Sequence, residues 1–500
     1  MRTVKTQIAI HYATGIRAIG IASALVLSGM TQAADWKFGA GIGASETYTD
    51  NVELTSSDNR SSDFITTVTP TFSAQKAGAR LKVDARYSLQ NLFYARDSAR
   101  NERYHQLSAI ANAELYQNEV FLDAAAAITQ NQLSPLNASG VDNSNATNNI
   151  ANVRTFTISP YWNHRFGSTA TLNVRELISR TTNDTNEFSN STDNTFSAGL
   201  ISGSAFGKAF WGLNFLQQNS DYQDRSNVKL TTTSGSLGYQ VLSRVRLTGT
   251  IGRENNSFET TTGEAPGGFF WNTTVSWAPS TRTSLDFGFG HRFYGNTWNL
   301  AFKTRGKYST WSADYSEALS TSNSQFAATS LARNPSQQAV VFSNHNVLSN
   351  QVFLSKRFST AFTWAKGKSD FRLEAFHSTE TTQIDENVST VSLNLNNLGL
   401  SSSNDIFLAS NNFKQVGISG AWNWKFSSNL SSNVAFGVIR DSFSDLNRVD
   451  TTSNLRIGLN RQFSSQMNGN VVLRRQNRDS DQDSADYTEN AITGSINYNF

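Results

Sequence analysis

From Trp36 onward, apolar and polar residues alternate with a period of two, the signature of strands with two unlike faces. Between Arg80 and Phe93, Leu81, Val83, Ala85, Tyr87 and Leu89 share one face, and Arg80, Lys82, Asp84, Arg86, Ser88 and Gln90 the other. The same alternation recurs through Val120–Ile128, Trp211–Phe215, Val245–Ile251, Leu285–Phe289, Val416–Trp424, Leu430–Val438 and Leu455–Leu459. No helix-period stretch of comparable length occurs after the first 33 residues. The connections between these segments are of two alternating kinds. Short turns are expected at 76–79, 116–118, 165–168, 206–208, 242–243, 279–281, 305–307, 366–368, 426–428 and 463–465. Between them lie mostly longer loops rich in Asn, Asp, Ser and Thr, at 50–62, 131–150, 181–193, 255–268, 320–348, 382–411 and 479–485.

One rim of short turns and one of long loops is the plan of an all-β transmembrane barrel of the antiparallel up-and-down type. The segments count to about 22 strands, with 20 the lower bound. Gly295–Asn296 reads as a loop or a bulge, and 350–366 as one strand or two. Both termini fall on the short-turn, periplasmic rim. A soluble sandwich or solenoid is the competing class, but strands of 12 to 15 residues exceed the usual soluble length of about five or six. Phe166, Phe206, Phe210, Trp211, Trp277, Phe426 and Phe463 gather beside the short turns, where a periplasmic aromatic girdle belongs.

Composition agrees with this plan. The chain has 500 residues, of which 38% are hydrophobic, 11% aromatic and 16% charged, with 6 Pro and no Cys. Soluble domains carry about 25% charged residues, and disordered chains carry few aromatics. After residue 33 no apolar run approaches the roughly 18 residues of a spanning helix. In a barrel only alternate side chains meet lipid, so a mean hydropathy of -0.41 suits a membrane protein. Residues 1–33 read as a secretory leader, with Arg2, Lys5 and Arg17 as the basic flank, 18–30 as the apolar core and Thr31-Gln32-Ala33 as the cleavage site. Residues 34–500 are then one barrel domain, formally neutral because the leader holds 3 of the 42 basic residues against 39 acids. That removes any bulk-charge argument for nucleic-acid binding. The absence of cysteine excludes lipoprotein acylation, disulfides and thiolate metal sites. Ile496, Tyr498 and Phe500 alternate to the C-terminus, an ending similar to the signal read by the outer-membrane barrel assembly machinery.

Candidate chemistry is sparse. His105, His164, His291, His345 and His377 show no metal-ligand spacing, and no cofactor is expected. Gly39-x-Gly41-x-Gly43 lies within a strand and opens no helix, so crowding rather than a nucleotide explains it. Asp479, Asp481 and Asp483 imitate a calcium loop, but Ser484 and Asn490 stand where Gly and Glu are required. These acids, with Asp50, Asp58 and Asp63, are solvated loop residues or bridge divalent ions to lipopolysaccharide. Arg80, Lys82, Asp84, Arg86, Arg244 and Arg246 are the candidate lumen contacts, a mixed-charge surface that a sugar or an anionic polymer could follow, or that pairs with itself. Glu176 falls on an apolar face with Leu172, Val174 and Ile178, where a charge facing lipid is costly. A bulge or a position near a rim is expected there. A barrel hydrolase would require His, Asp or Ser converging at the outer rim.

The runs Ser45-Glu46-Thr47-Tyr48-Thr49-Asp50-Asn51-Val52, Ser62-Asp63-Phe64-Ile65-Thr66, Arg80-Leu81-Lys82 and Leu89-Gln90-Asn91-Leu92-Phe93-Tyr94 resemble the N-terminal part of the PEP-CTERM system-associated outer-membrane barrel family. Tyr294-Gly295-Asn296-Thr297 and Phe353-Leu354-Ser355-Lys356-Arg357 are similar to later parts of it. The resemblance implies a non-enzymatic outer-membrane protein of a Gram-negative bacterium, associated with exosortase systems and serving as a passage or surface component for exopolysaccharide. Its implied partners are outer-membrane lipid, lipopolysaccharide, the assembly machinery and periplasmic export components. A general porin-like diffusion channel and a structural or adhesive scaffold are the alternatives. No plug domain precedes the strands, so loops 320–348 and 382–411 are expected either to fold inward and constrict the pore or to stand outward as a binding surface.

Overall fold

The computed structural model describes residues 36–500, apart from 186–187, 224–225, 259–266, 327–350, 383–409 and 411. The expected leader, and most of the two loops expected to constrict the pore, lie outside the described residues. The strands are β1 (Trp36–Thr49), β2 (Asp63–Ala77), β3 (Leu81–Tyr94), β4 (Glu102–Tyr116), β5 (Val120–Gln132), β6 (Ile150–Phe166) and β7 (Ala170–Asn183). There follow β8 (Ser191–Ser202), β9 (Ala209–Tyr222), β10 (Val228–Leu242), β11 (Val245–Ser257), β12 (Gly268–Ser280), β13 (Thr283–Arg292), β14 (Gly295–Arg305) and β15 (Ser309–Ser320). The wall ends with β16 (Phe353–Lys366), β17 (Ser369–Thr382), β18 (Asn412–Lys425), β19 (Leu430–Phe443), β20 (Arg448–Gln462), β21 (Met467–Ser480) and β22 (Tyr487–Asn499).

Each strand pairs antiparallel with its sequence neighbours in one 22-stranded sheet, and β1 pairs with β22 from Gly41–Asn499 to Thr49–Ala491. Closure pairs every strand on both sides, so the backbone groups of the wall bond within the sheet, although β14 and β15 pair only from Leu300–Tyr315 to Arg305–Thr310. The ten expected short turns all lie on one rim. The other rim carries the long loops and also shorter connections that composition did not mark, including the turn at Phe293–Tyr294 between β13 and β14. Gly295 opens β14 at φ +104°, and Phe353–Lys366 is a single strand.

The two faces separate as the alternation predicts. Phe38, Phe72, Leu237, Phe269, Ile418 and Ile496 are exposed on the outside. Thr47, Thr157, Ser179, Gln415, Arg474 and Glu489 are buried within. A solvent-exposed apolar exterior of this extent on every stave is suited to a bilayer. The closure seam explains the glycines, because a Cβ at Gly41 would lie 2.8 Å from Asn499 Oδ1 and 2.9 Å from Tyr498 O. Phe166, Phe206, Trp277, Phe426 and Phe463 are exposed beside the short turns as expected. Phe210 departs from that girdle: it belongs to the inward-facing set of β9, and the Arg246 guanidinium lies 4.7 Å above its ring.

Glu176 also departs from expectation. The β7–β8 register runs unbroken through Glu176–Phe196, and the same offset holds on the β6 side from Ile158–Ile178 to Tyr161–Arg175. The carboxylate therefore sits midway along β7, on the outward face, with neither a bulge nor a rim nearby. Pro160 stands opposite and supplies no N–H, so the ladder loses a bond there without shifting register.

Candidate functional site

The barrel interior is spanned by residues 133–149, the connection from β5 to β6. The base of this loop is clamped by Asn149. Its Oδ1 accepts from Ser134 N at 2.9 Å, and its Nδ2 donates to Ser134 O, Asn137 O and Ala138 O at 2.9, 3.2 and 3.1 Å. Leu133 packs with Ala151, Val153, Phe188 and Phe326. Leu136 lies against the buried rings of Phe353, Phe413 and Phe443 on β16, β18 and β19. Burial of these apolar side chains draws an otherwise polar loop off the rim and into the mouth.

Three arginines of the inner wall hold the loop from the far side. Arg478 donates to Asn137 O at 2.8 Å, Pro135 O at 2.9 Å and Leu136 O at 3.1 Å, and pairs with Asp450. Arg448 binds Asp450 at 2.9 Å and Leu136 O at 2.8 Å. Two guanidiniums share one carboxylate and turn other donors to loop carbonyls, while Arg448 Nη1 reaches Gln482 Oε1 at 3.2 Å and Arg478 Nε is left without a partner. Arg474, 5% exposed, chelates Glu489 through Nε at 3.0 Å and Nη2 at 2.7 Å. It also pairs with Asp142 of the loop and donates to Ser144 Oγ and Asn145 Oδ1, both at 3.3 Å. Glu489 is fully buried, and further accepts from Asn145 Nδ2 at 2.9 Å and Thr49 Oγ1 at 2.7 Å. Burying a carboxylate without such donors is costly.

Burial alone would raise the Asp142 carboxyl, but Arg474, with the Ser144 hydroxyl and backbone N–H, holds it below the usual aspartate value. Its side chain keeps 46% of its accessible surface, open to the lumen. On the near wall, Tyr94 OH donates to Ser144 O at 3.2 Å and Ala146 N to Val52 O at 2.8 Å. The loop thus ties β2–β6 to β16–β22 across the bore. A second inward piece follows β15, where Asn323 Nδ2 reaches Ser191 Oγ at 2.8 Å.

Between Val141–Asn143 and the wall of β1–β4 lies a recess of about 1010 Å³, lined on its polar side by Gln75, Arg86, Ser88, Gln90, Gln106 and Asn499. Asn143 Nδ2 donates to Gln90 at 2.9 Å, and Ser88 Oγ to Gln106 at 3.1 Å. Amides and hydroxyls, with the Arg86 guanidinium and the Asp142 carboxylate, suit a neutral polar solute.

Of the six candidate lumen residues, Lys82, Asp84, Arg86 and Arg246 face inward on strands, whereas Arg80 and Arg244 sit in the short turns. Asp84 and Arg86 pair at 3.4 Å, and only Arg86 lines the recess. Arg246 stands on β11, far round the barrel from β3. The sequence reading missed Arg448, Asp450, Arg474, Arg478 and Glu489. A signal existed in Leu133, Pro135 and Leu136, apolar residues inside a polar loop, and in charges on the inward face of the last strands. The loop acids cap backbone N–H groups: Asp481 accepts from Val449 N at 2.9 Å, and Asp63 from Phe64 N at 2.8 Å and Arg96 N at 3.1 Å. Among the described residues no group of three His, Cys, Asp or Glu is arranged to hold a metal. His345 lies outside the described residues.

No protein-family model and no curated protein matches this sequence. Among solved structures it is similar to the apoprotein form of the FrpB iron transporter (F5-1 variant) from Neisseria meningitidis, at 10% identity and a TM-score of 0.50, covering 92% of this chain and 81% of that one. The F3-3 variant gives 10% identity and a TM-score of 0.49, with 95% and 82% covered. OccK2 (OpdF) from Pseudomonas aeruginosa gives 8% identity and a TM-score of 0.36, with 93% and 98% covered. At these identities the likeness is one of fold.

Proposed function

We propose that this protein is a channel of the Gram-negative outer membrane, with the short turns and both termini in the periplasm, whose bore is set by the loop 133–149. The observation that carries the reading is the loop itself, fastened across the lumen by Arg448, Arg474 and Arg478. A wide closed barrel without such an element would pass solutes indiscriminately, whereas a fastened loop leaves a polar passage beside it. The solute class is polar and hydroxyl-rich, in keeping with the amide lining of the recess. Together with the family resemblance, this favours exopolysaccharide as the cargo. Planar-bilayer recording of the purified barrel tests the channel: discrete conductance steps that grow when residues 134–148 are replaced by a short Gly/Ser linker support it. No conductance in either form refutes it. Deleting the gene tests the cargo, because periplasmic accumulation of exopolysaccharide is expected and unchanged secretion excludes it.

A further inference from the structure

The outward face near the long-loop rim carries a series of exposed basic residues. Arg154, Arg180, Arg253, Lys414 and Arg440 all stand there on lipid-facing registers and are exposed. The densest group lies on β16–β19. One cross-strand row reads Lys356–Thr379–Lys414–Ser442, and the next row inward reads Phe358–His377–Val416–Arg440. Lys414 and Arg440 are thus diagonal neighbours, about 7–8 Å apart at Cα. From β16, which carries Lys356, to β19, which carries Arg440, the patch crosses three strand spacings, about 14 Å. Directly beneath lie Ile418, Phe436 and Val438, exposed and apolar. Glu317 on β15 takes Lys356 at 3.8 Å, while Glu380 and Asp441 belong to the inward registers of β17 and β19. Among the described residues neither Lys414 nor Arg440 has an acidic partner within ion-pair distance.

We infer that this patch is a binding site for a phosphorylated glycolipid of the outer leaflet, with Lys414 and Arg440 on its phosphates, Lys356 and His377 flanking them, and its acyl chains along Ile418, Phe436 and Val438. The inference rests on the membrane placement proposed above. Cations poised over an apolar surface match an anionic headgroup on a hydrocarbon tail. A patch four strands wide fits a headgroup bearing two phosphates better than the single phosphate of a phospholipid.

The test titrates the refolded, full-length barrel in detergent with bisphosphorylated lipid A, dephosphorylated lipid A and phosphatidylglycerol, read by native mass spectrometry. The wild type is expected to prefer bisphosphorylated lipid A. The double variant Lys414→Gln/Arg440→Gln is expected to bind it about 30-fold more weakly, about fivefold for each cation at a bilayer surface. Lys414→Arg/Arg440→Lys should retain binding. The dephosphorylated lipid reads the same contact on the unaltered protein, should the double variant fail to fold. Equal binding of lipid A by wild type and variant, equal binding of the two lipid A forms, or phosphatidylglycerol binding as tightly as lipid A overturns the inference. A barrel that conducts in bilayers yet lacks the preference refutes this site alone. One that binds lipid A but never conducts refutes the channel alone.

Discussion

Replacing Arg474 by alanine removes the one side chain that joins the loop acid Asp142 to the wall acid Glu489. Glu489 would keep only Asn145 Nδ2 and Thr49 Oγ1 as side-chain donors, in a position with no solvent exposure. Breaking a buried pair by deleting one partner costs about 3–5 kcal/mol. The lumen side of the cluster is wet at Asp142, so the lower figure, about 3 kcal/mol, is appropriate. If that loss falls on the loop, the ratio of released to held loop rises about 150-fold, at about 1.4 kcal/mol per tenfold. Single-channel recording is the assay: Arg474→Ala should show larger or noisier open states at neutral pH. Adding Glu489→Gln should recover part of the lost stability in urea unfolding, because the uncompensated carboxylate is then gone. An Arg474→Ala barrel that inserts normally and conducts with wild-type amplitude and noise would refute the latch.

The Asp142 carboxyl provides a pH test. Its folded value lies below the ordinary 3.8, so its contribution to holding the loop is complete above about pH 4 and is lost as pH falls through that lower value. Wild-type conductance should therefore change below about pH 4, and Asp142→Asn should abolish that change. At the closure seam, Gly41→Val would set a Cβ 2.9 Å from both Tyr498 O and Thr71 Oγ1. Overpacking of this kind costs about 1–3 kcal/mol, read as a lower temperature for loss of the heat-modifiable folded band on gels. At mid-wall, Glu176→Leu should stabilise the barrel in lipid vesicles by about 1–2 kcal/mol, since an outward acid there costs less than the 2–4 kcal/mol of an arginine or lysine. An unchanged urea midpoint in bilayers would show that Glu176 is hydrated or paired.

Strand number, rim assignment and face assignment were legible in the sequence because each depends on neighbours within one or two residues. Leu81, Val83 and Ala85 could be assigned outward and Lys82, Asp84 and Arg86 inward from period two alone. The same reasoning failed at Phe210 and Glu176, where side-chain chemistry suggested one face or position and the register imposed another. A strand cannot move one residue to the other face without a bulge, and the pairing from Ala170–Ser202 to Thr181–Ser191 contains none.

The site was less legible. Loop 133–149 and the arginines that grip it are separated by more than 300 residues, as in Arg474 with Asp142 and Arg478 with Pro135. Nothing local in either segment names the other. Loop length suggested 320–348 and 382–411 as the constriction, and most of both lies outside the described residues; among the described residues the loop that enters the bore is 133–149, held by Leu133, Leu136 and the carbonyls that Arg448 and Arg478 can reach. Alternation along the chain determined a closed membrane barrel, because strand geometry repeats every two residues and a bilayer tolerates no unpaired edge. Closure brought β1 to β22 and the last strands to face loop 133–149, and only that meeting decided which charges pair and which of the described loops enters the lumen.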